Sequence, residues 1–217
     1  MAQYFEIHPT HPQHRLIAAA ARIVRDGGVI AYPTDSCYAF GCHVGDKAAL
    51  ERLRRLRDLD EQRHLTLVCR DLSEIALYAR VDNTRYRMLK HLTPGSFTFI
   101  LPGTKELPRR LLHARRKTIG VRVPDHPVTQ ALMVELGEPL LSTTAVLVGE
   151  RQPATDAHVI RERLERQLDL VIDSGGCGGE PTTVIDLTED VPVLVRRGKG
   201  DIAGLGFEMS EPGDGGR

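Results

Sequence analysis

The sequence predicts an α/β fold: a single domain built on a twisted, open, mixed β-sheet with helices packed against it. Short apolar runs rich in β-branched residues alternate with segments whose apolar residues recur at helical spacing. No linker and no internal repeat interrupts this alternation in the 217 residues. The chain is 41% hydrophobic and 27% charged, which provides for one buried core and excludes a disordered or fibrous protein.

The first predicted helix and strand lie next to each other. Residues 14–26 place apolar side chains on one helical face, and Gly27 and Gly28 end the helix. Residues 29–32 are apolar and β-rich, and Pro33 ends this strand because proline has no amide hydrogen for the ladder.

A second helix and strand follow, and then a short helix. Asp46 is the predicted N-cap of a helix that runs to about Arg57, with leucines on one face and arginines on the other. A buried apolar strand is predicted at 65–69. Asp71 and Glu74 have the spacing of a capping box, which predicts the start of the short helix.

The middle of the chain is predicted as helix, strand, loop and strand. A helix at 83–92 precedes an apolar strand at 96–101. Residues 103–117 contain Pro108 and many basic side chains, so we predict an exposed loop or partial helix there. A further strand is predicted at 119–123.

The remaining elements continue the alternation and complete the domain, which we expect to span residues 1–207. Residues 208–217 lack a core-forming pattern and are predicted to be a disordered tail. The remaining predicted elements are a helix at 127–136, a strand at 140–143, a helix at 155–167, and strands at 168–172, 184–187 and 193–196.

The charge is balanced overall but not along the chain. The 29 basic and 29 acidic residues give a net charge of zero, which excludes a protein that coats nucleic acid by bulk charge. Residues 80–122 carry 11 basic and 2 acidic side chains, whereas residues 123–217 carry 8 and 17. The basic stretch either contributes to a local anion-binding surface or is neutralised by the acidic part across the fold.

Several other classes of protein are excluded by the sequence. There is no run of about 18 apolar residues and no secretion signal at the first residues, so we expect a cytoplasmic protein without a membrane partner. The four cysteines form no CxxC pair, which predicts free thiols and no metal site. The glycine-rich run at 175–179 precedes a strand, which favours a flexible loop over a phosphate-binding loop.

Polar groups gather where predicted strands end, which is where open α/β sheets bind ligands. Arg122 lies between Val121 and Val123 in a strand, so it points to the opposite face from these valines. It is expected to face a polar cavity or a carboxylate, or else the solvent side of a half-exposed sheet. The other groups are residues 32–41, the arginines Arg54, Arg55, Arg57 and Arg63, residues 142–145, and residues 196–198.

Two of these groups have a second, structural interpretation. Residues 32–41 present Thr34, Asp35 and Ser36 in a turn, either as an anchor for a small polar ligand or as an ordinary capped turn. The arginines after the second helix either clasp phosphates with bidentate geometry or form a solvated helix face.

Five motifs occur in order along the chain: residues 32–38 (YPTDSCY), 94–101 (PGSFTFIL), 120–127 (GVRVPDHP), 142–145 (STTA) and 182–186 (TTVID). This series resembles the YrdC-like family over residues 13–202, and its wording is most similar to the YciO branch of that family. The resemblance implies one YrdC-like domain in which a twisted sheet of about seven strands surrounds a basic concave cavity.

The resemblance also implies a chemistry. The best characterised members make threonylcarbamoyl-adenylate from L-threonine, bicarbonate and ATP, as the first step of the t6A modification of tRNA, and other members are described as binding double-stranded RNA. ATP with Mg²⁺ is the implied cofactor, and catalysis is mainly positioning and charge neutralisation, so no catalytic residue is assigned.

Site residues follow position by position from the same resemblance. Thr34, Arg122 and Thr143 match residues that hold the threonine-like substrate, and Arg122 is suited to its carboxylate. The matches for binding the nucleotide or its phosphates are Arg57, Arg63, Thr144 and Arg196.

The chain departs from the family pattern at four other positions. Leu59 replaces a basic residue, and Val68 stands where many members have histidine. Val146 and Val148 replace an asparagine and a serine. Each loss removes a polar contact worth about 1.5–3 kcal/mol, so any synthase activity is expected to be weak.

Three functional hypotheses remain. The first is a YciO-type protein that binds a nucleotide or RNA and has weak threonylcarbamoyl-AMP synthase activity. The second is a non-catalytic double-stranded RNA-binding protein that uses residues 80–122. The third is an enzyme for another carboxylated substrate, with Val146 and Val148 reshaping the pocket.

Overall fold

The fold is given by a computed structural model, in which residues 1–58, 65–113 and 115–207 are described. Within these residues the strands are β1 (Gln3–Glu6), β2 (Val29–Tyr32), β3 (Ala39–His43), β4 (Thr66–Val68), β5 (Phe97–Pro102), β6 (Thr118–Arg122), β7 (Leu140–Thr144), β8 (Leu170–Asp173), β9 (Thr183–Asp186) and β10 (Val193–Arg196). The α-helices are α1 (His14–Arg25), α2 (Lys47–Arg57), α3 (Leu72–Tyr78), α4 (Asn83–Leu92), α5 (Pro127–Leu136) and α6 (Ala157–Leu164), and Arg109–Leu111 form one 3₁₀ turn.

All ten strands of the described chain join in one mixed sheet. Their order is β1-β8-β2-β3-β7-β4-β6-β5-β9-β10. The pairs β1·β8, β2·β8, β4·β6 and β5·β9 are parallel, and the other five pairs are antiparallel. Strands that are far apart in sequence therefore lie side by side in the middle of the sheet.

The predicted fold class and the predicted helices and strands are confirmed, with ends shifted by a few residues. The expected strand number was too low, because the described residues form ten strands instead of about seven. β1 is a four-residue edge strand whose outer two side chains are exposed and whose middle two are half-buried. Its sequence therefore lacks the alternation of apolar and polar residues that would predict a strand. β3 contains Gly41 and lies in the segment interpreted as a turn. The predicted tail at 208–217 lies outside the described residues.

Aspartate side chains fix where several helices begin. The Asp46 carboxylate accepts a hydrogen bond from the amide of Ala49 at 2.9 Å. Asp71 accepts from the amide of Glu74 at 2.9 Å, and the Glu74 carboxylate accepts in return from the amide of Arg70 at 2.7 Å. The predicted capping box is therefore present, with its return bond one residue earlier than in the usual motif.

One face of the sheet is covered from β8 to β9. Leucines and alanines of α2, and apolar residues of α3, α4 and α6, pack against buried side chains such as Val171, Leu67, Phe99 and Ile185. Burial of each large apolar side chain stabilises the fold by about 1.5–3 kcal/mol.

Helices cover only part of the opposite face. There, α1 and α5 pack on Ile30, Tyr32, Leu140, Leu170 and Ile172, and we call this region the covered half. Farther along, the same face carries Thr66, Thr98, Gly120 and Arg122, and we call this region the cavity half. The neighbours of these residues in sequence, Leu67, Phe99 and Val121, point to the other face and are buried there.

Candidate functional site

A cavity of about 570 Å³ lies over the cavity half of the sheet. Four arginines line it, and none of the described lining residues is acidic. Its hydroxyl-bearing side chains are Thr66, Thr98, Ser142, Thr143, Thr144 and Thr182, and the arginines are Arg57, Arg122, Arg151 and Arg196. This composition suits an anionic ligand that also has groups for hydrogen bonds.

Arg122 is at the floor of the cavity, at the end of β6. The residue is only 7% exposed, and its Nη2 donates to Oδ1 of Asp35. The other oxygen of Asp35, Oδ2, accepts from Oγ of Ser96 at 2.8 Å. Arg122 thus faces both a polar cavity and a carboxylate, and the alternative of a solvent-facing arginine is not observed.

Arg57 reaches the cavity from the end of α2. Its Nη1 donates to the backbone oxygen of Val146 at 2.8 Å. The helix ends here because Asp58 adopts the left-handed conformation, with φ of 48°. The solvated-surface interpretation therefore does not hold for Arg57, which lines the cavity.

Arg196 enters from the opposite side, at the end of β10. Its Nε and Nη2 donate to the backbone oxygen of Thr182 at 3.2 and 2.9 Å. The hydroxyls of Thr182 and Thr98 are 2.9 Å apart. Burial lowers the pKa of Arg196 from its ordinary value, although a guanidinium remains charged at any physiological pH.

The end of β7 supplies the hydroxyls of Ser142, Thr143 and Thr144. Ser142 Oγ donates to the backbone oxygen of Phe40 at 3.0 Å and lies 2.6 Å from the hydroxyl of Tyr32. Ser142 has one hydroxyl hydrogen, so Tyr32 is the donor to it. These bonds hold the strand that carries Thr143 and Thr144 to the cavity.

Thr34 does not lie in this cavity. Its Oγ1 donates to the backbone oxygen of Cys37 at 2.6 Å and accepts from the amide of Ser36 at 3.2 Å. Thr34 is buried and lines a second pocket of about 450 Å³. In the structure this side chain has the bonds of a capped turn.

The second pocket adjoins the first through Asp35. It is also lined by Ser96, Asp125, His126 and Lys199. Within the described chain, Nδ1 of His126 is buried without a hydrogen-bond partner, and burial lowers the pKa of this imidazole. The ring is therefore neutral around pH 7.

The structure brings together most of the site residues inferred from the resemblance. Arg57, Arg122, Thr143, Thr144 and Arg196 all line the larger cavity. Thr34 lines the neighbouring pocket instead, and Arg63 lies outside the described residues.

Sequence reasoning missed several lining residues. Thr66 and Thr98 are hydroxyl residues in otherwise apolar strands, and both line the cavity. Their alternation with apolar neighbours could have predicted that they point to the opposite face of the sheet from those neighbours. Arg151 and Gln152 are exposed at the rim of the cavity, on the loop after β7. No periodic pattern marks that loop, so the sequence gives no indication of their position.

The departures from the family pattern have different structural settings. Val146 lines the cavity, whereas Val148 is 61% exposed. Val68 is fully buried in the apolar cluster under α5. Leu59 lies outside the described residues. Of the three described valines, only Val146 borders the cavity.

The described lining of the cavity contains one cysteine, and its thiol is a poor nucleophile. Cys37 lines the cavity, but burial raises the pKa of its thiol, so the thiolate that would act as a nucleophile is scarce. All four cysteines are free, as predicted.

Among the described residues, no group of three His, Cys, Asp or Glu side chains is placed to hold a metal ion. No helix of the described chain is long and apolar enough to cross a membrane.

The open mixed sheet and its arginine-lined cavity define an α/β domain whose cavity has a composition suited to an anionic ligand. The family model Sua5/YciO/YrdC, described as "Telomere recombination", matches residues 22–198. The chain therefore belongs to the Sua5/YciO/YrdC family.

Two relatives place the chain within this family. The protein YciO of Escherichia coli K12 is 56% identical over 202 residues, which are 93% of this chain and 98% of the relative. A threonylcarbamoyl-AMP synthase of Nitrosococcus oceani is 36% identical over 158 residues, 72% of this chain and 84% of the synthase.

Solved structures agree with this placement. The crystal structure of E. coli YciO matches with a TM-score of 0.91, covering 94% of this chain and 98% of that one. P. abyssi Sua5 complexed with L-threonine matches with a TM-score of 0.82 at 27% identity, covering 90% of this chain and 57% of that one.

Proposed function

We propose that the larger cavity binds ATP and L-threonine and that the protein forms threonylcarbamoyl-AMP slowly, as a supplier of tRNA t6A modification. The observation that carries the proposal is the buried Arg122 at the floor of an arginine-lined cavity. The relationship to a threonylcarbamoyl-AMP synthase and to a Sua5 protein complexed with L-threonine supports it.

Arg122 is the proposed partner of the threonine carboxylate. Arg122 lines the cavity and is the only arginine among the described lining residues whose guanidinium is almost fully buried. A buried guanidinium gives strong charge-assisted hydrogen bonds to a carboxylate. Thr143, which lines the same cavity, adds a hydroxyl for the amino acid.

Arg57, Arg196 and Thr144 are the proposed partners of the nucleotide, and exposed Arg151 extends this set at the rim. A cavity of about 570 Å³ lies within the usual range for sites of small molecules. Mg²⁺ would arrive with the phosphates of ATP as part of the substrate. The lining residues fit that role, since arginines and hydroxyls suit phosphate oxygens and none of the described lining residues has a carboxylate to hold the metal separately.

The proposed reaction needs little chemistry from the protein. The threonine amine combines with carbon dioxide, derived from bicarbonate, to form a carbamate, and the amine proton is released to water. A carbamate oxygen attacks the α-phosphorus of ATP, the bond from that phosphorus to the bridging oxygen breaks, and pyrophosphate leaves. The arginines neutralise the negative charge that accumulates between carbamate and phosphates, and binding holds the two reactants together.

A slow rate follows from the loss of a polar side chain at the cavity, where Val146 stands. Val146 contributes only a backbone oxygen, which Arg57 already occupies. A lost hydrogen bond to a charged group costs about 1.5–3 kcal/mol, or roughly ten- to a hundredfold in rate if the bond forms in the transition state.

The test is a synthase assay with ATP, bicarbonate and labelled L-threonine. We expect pyrophosphate and labelled adenylate to appear together, and Arg122→Ala to reduce both by at least about tenfold. Arg22→Ala, an exposed arginine of α1, is the matched control and should retain the rate. No product above the Arg122→Ala level at high enzyme concentration would defeat the proposal.

A second candidate function is binding of double-stranded RNA. It is favoured by the exposed basic side chains between β5 and β6, which are Lys105, Arg109, Arg110, Arg115, Arg116 and Lys117. Binding through these residues would neutralise phosphates and weaken steeply with salt. Phosphate-dependent binding weakens strongly as the salt concentration rises from about 50 to about 300 mM. Duplex RNA affinity that stays constant over this range would rule this candidate out.

A further inference from the structure

Arg122 already has a carboxylate partner in the absence of any ligand. The side chains of Arg122 and Asp35 are only 9% and 8% exposed, and they form an ion pair. Ser96 anchors the second oxygen of Asp35 at 2.8 Å, and Nζ of Lys199 donates to the backbone oxygen of Asp35. Asp35 is therefore fixed behind Arg122, on the wall of the second pocket.

The opposite end of the cavity has a different charge balance. Arg196 donates to the backbone oxygen of Thr182, which is neutral. No acidic residue occurs in the described lining of the cavity. The charge of Arg122 is offset by the fixed carboxylate of Asp35, whereas the backbone oxygen that Arg196 bonds to is neutral.

We infer that Asp35 is a specificity-determining residue, which makes the Arg122 end of the cavity select a monoanionic carboxylate over a phosphate dianion. The attraction by Arg122 and the repulsion by Asp35 both double when the ligand carries two negative charges instead of one. The presence of Asp35 therefore disfavours a dianion by about twice the free energy by which it disfavours a monoanion, and in a buried site this difference is weakly screened. A carboxylate keeps the attraction of the Arg122 guanidinium, which lines the cavity, while meeting the smaller repulsion. The inference rests on the proposed function for the identity of the carboxylate, L-threonine.

The experiment uses inorganic phosphate as the probe, titrated by calorimetry at constant ionic strength. Asp35→Asn should show a phosphate-binding event that is absent, or at least about tenfold weaker, in the unaltered protein. Asp125→Asn, in the second pocket and exposed, removes the same charge nearby and should change phosphate affinity by less than about twofold. Adding Arg122→Gln to Asp35→Asn should remove the new binding event.

A gain of binding is a readout that a damaged fold would not produce. If Asp35→Asn and Asp125→Asn both bind phosphate like the unaltered protein, the inference is wrong. It is also wrong if the gain persists with Arg122→Gln. A separate titration with L-threonine judges the proposed function, because absence of threonine binding would defeat that function and leave the phosphate comparison intact.

Asp35→Asn leaves the buried Arg122 without its counter-charge, which destabilises the fold. A second variant therefore tests the inference if Asp35→Asn does not fold. Ser96→Ala keeps the carboxylate but removes the hydrogen bond that anchors it. We expect phosphate to bind about two- to fivefold more tightly in this variant. Unchanged phosphate affinity in a folded Ser96→Ala protein would then overturn the inference.

Discussion

The covered half and the cavity half belong to the same face of one sheet, yet the first is buried under helices whereas the second forms the floor of a cavity. The covered half presents large apolar side chains, such as Ile30 and Leu140, to α1 and α5. The cavity half presents Thr66, Gly120 and Arg122. The difference shows that alternate residues of a few strands decide whether a sheet face is closed by packing or kept open for a ligand.

The strand register strengthens this contrast. Thr66 lies opposite Gly120 in the ladder between β4 and β6. A Cβ atom on Gly120 would lie 3.0 Å from Oγ1 of Thr66 and 3.4 Å from Cγ2 of Thr98. Two small residues thus lie side by side at the floor of the cavity, where the covered half has leucine and isoleucine.

The largest expected effect comes from giving the covered half a residue of the cavity half. Ile30→Thr should lower the free energy of unfolding by about 2–4 kcal/mol, because it removes a buried methyl group and replaces a buried methylene by a hydroxyl without a partner. Urea denaturation measures this change. The matched control, Thr66→Val, should change stability by less than about 1 kcal/mol, and equal losses in the two variants would contradict the distinction between the halves.

A smaller effect is expected from adding one methyl group to a glycine of each half. In Gly41→Ala the new Cβ lies 2.6 Å from Cδ2 of the buried Leu140 and 2.9 Å from Cε1 of Tyr32. This overpacking should destabilise the protein by about 1–3 kcal/mol.

Gly120→Ala is the counterpart in the cavity half. Its new Cβ meets no atom closer than 3.0 Å, so the loss of stability should be smaller, about 1 kcal/mol or less. Thermal unfolding of the two variants side by side is the measurement. A Gly120→Ala protein less stable than Gly41→Ala would show that the cavity floor is packed as tightly as the core.

The smallest effect concerns the border between the halves, where Tyr32 donates to Ser142. Tyr32→Phe should cost about 1 kcal/mol at neutral pH, the usual value of one hydrogen bond. Burial raises the pKa of Tyr32 from 10.0 to about 12. The folded protein holds the phenol proton more tightly than the unfolded chain, so this stability is fully present below pH 10 and is lost as the pH rises toward 12.

Denaturation of the two proteins at several alkaline pH values tests this dependence. The advantage of the wild type over Tyr32→Phe should disappear between about pH 10 and pH 12. A constant difference across that range would mean that Tyr32 is not titrated by unfolding.

Local patterns in the sequence were sufficient for most elements and for part of the site. The position of Arg122 followed from strand alternation alone, because its neighbours Val121 and Val123 are buried on the other face. Its partner did not follow, since Asp35 is 87 residues away and reaches it only through the assembled sheet. Whether Arg122 faces water or a carboxylate is a tertiary property that no local pattern contains.

Non-local pairing also explains the strands that the sequence did not predict. β3 becomes a strand because β2 and β7 both pair with it. β1 pairs with β8, where Gln3 lies opposite Leu170, a residue 167 positions later in the chain. Thr34 lines the second pocket and its hydroxyl bonds within its own turn, so its assignment to the substrate by the resemblance stays a prediction.

The order of the sheet places β1 at one edge and β10 at the other. With strands about 4.8 Å apart, the two edges are roughly 43 Å from each other. A pulling force applied to these two strands would act across the ladders, so hydrogen bonds would open one pair at a time instead of shearing together. We therefore expect the domain to unzip from its edges at low force, and loss of β10 to open the cavity directly, because Arg196 of this edge strand lines it.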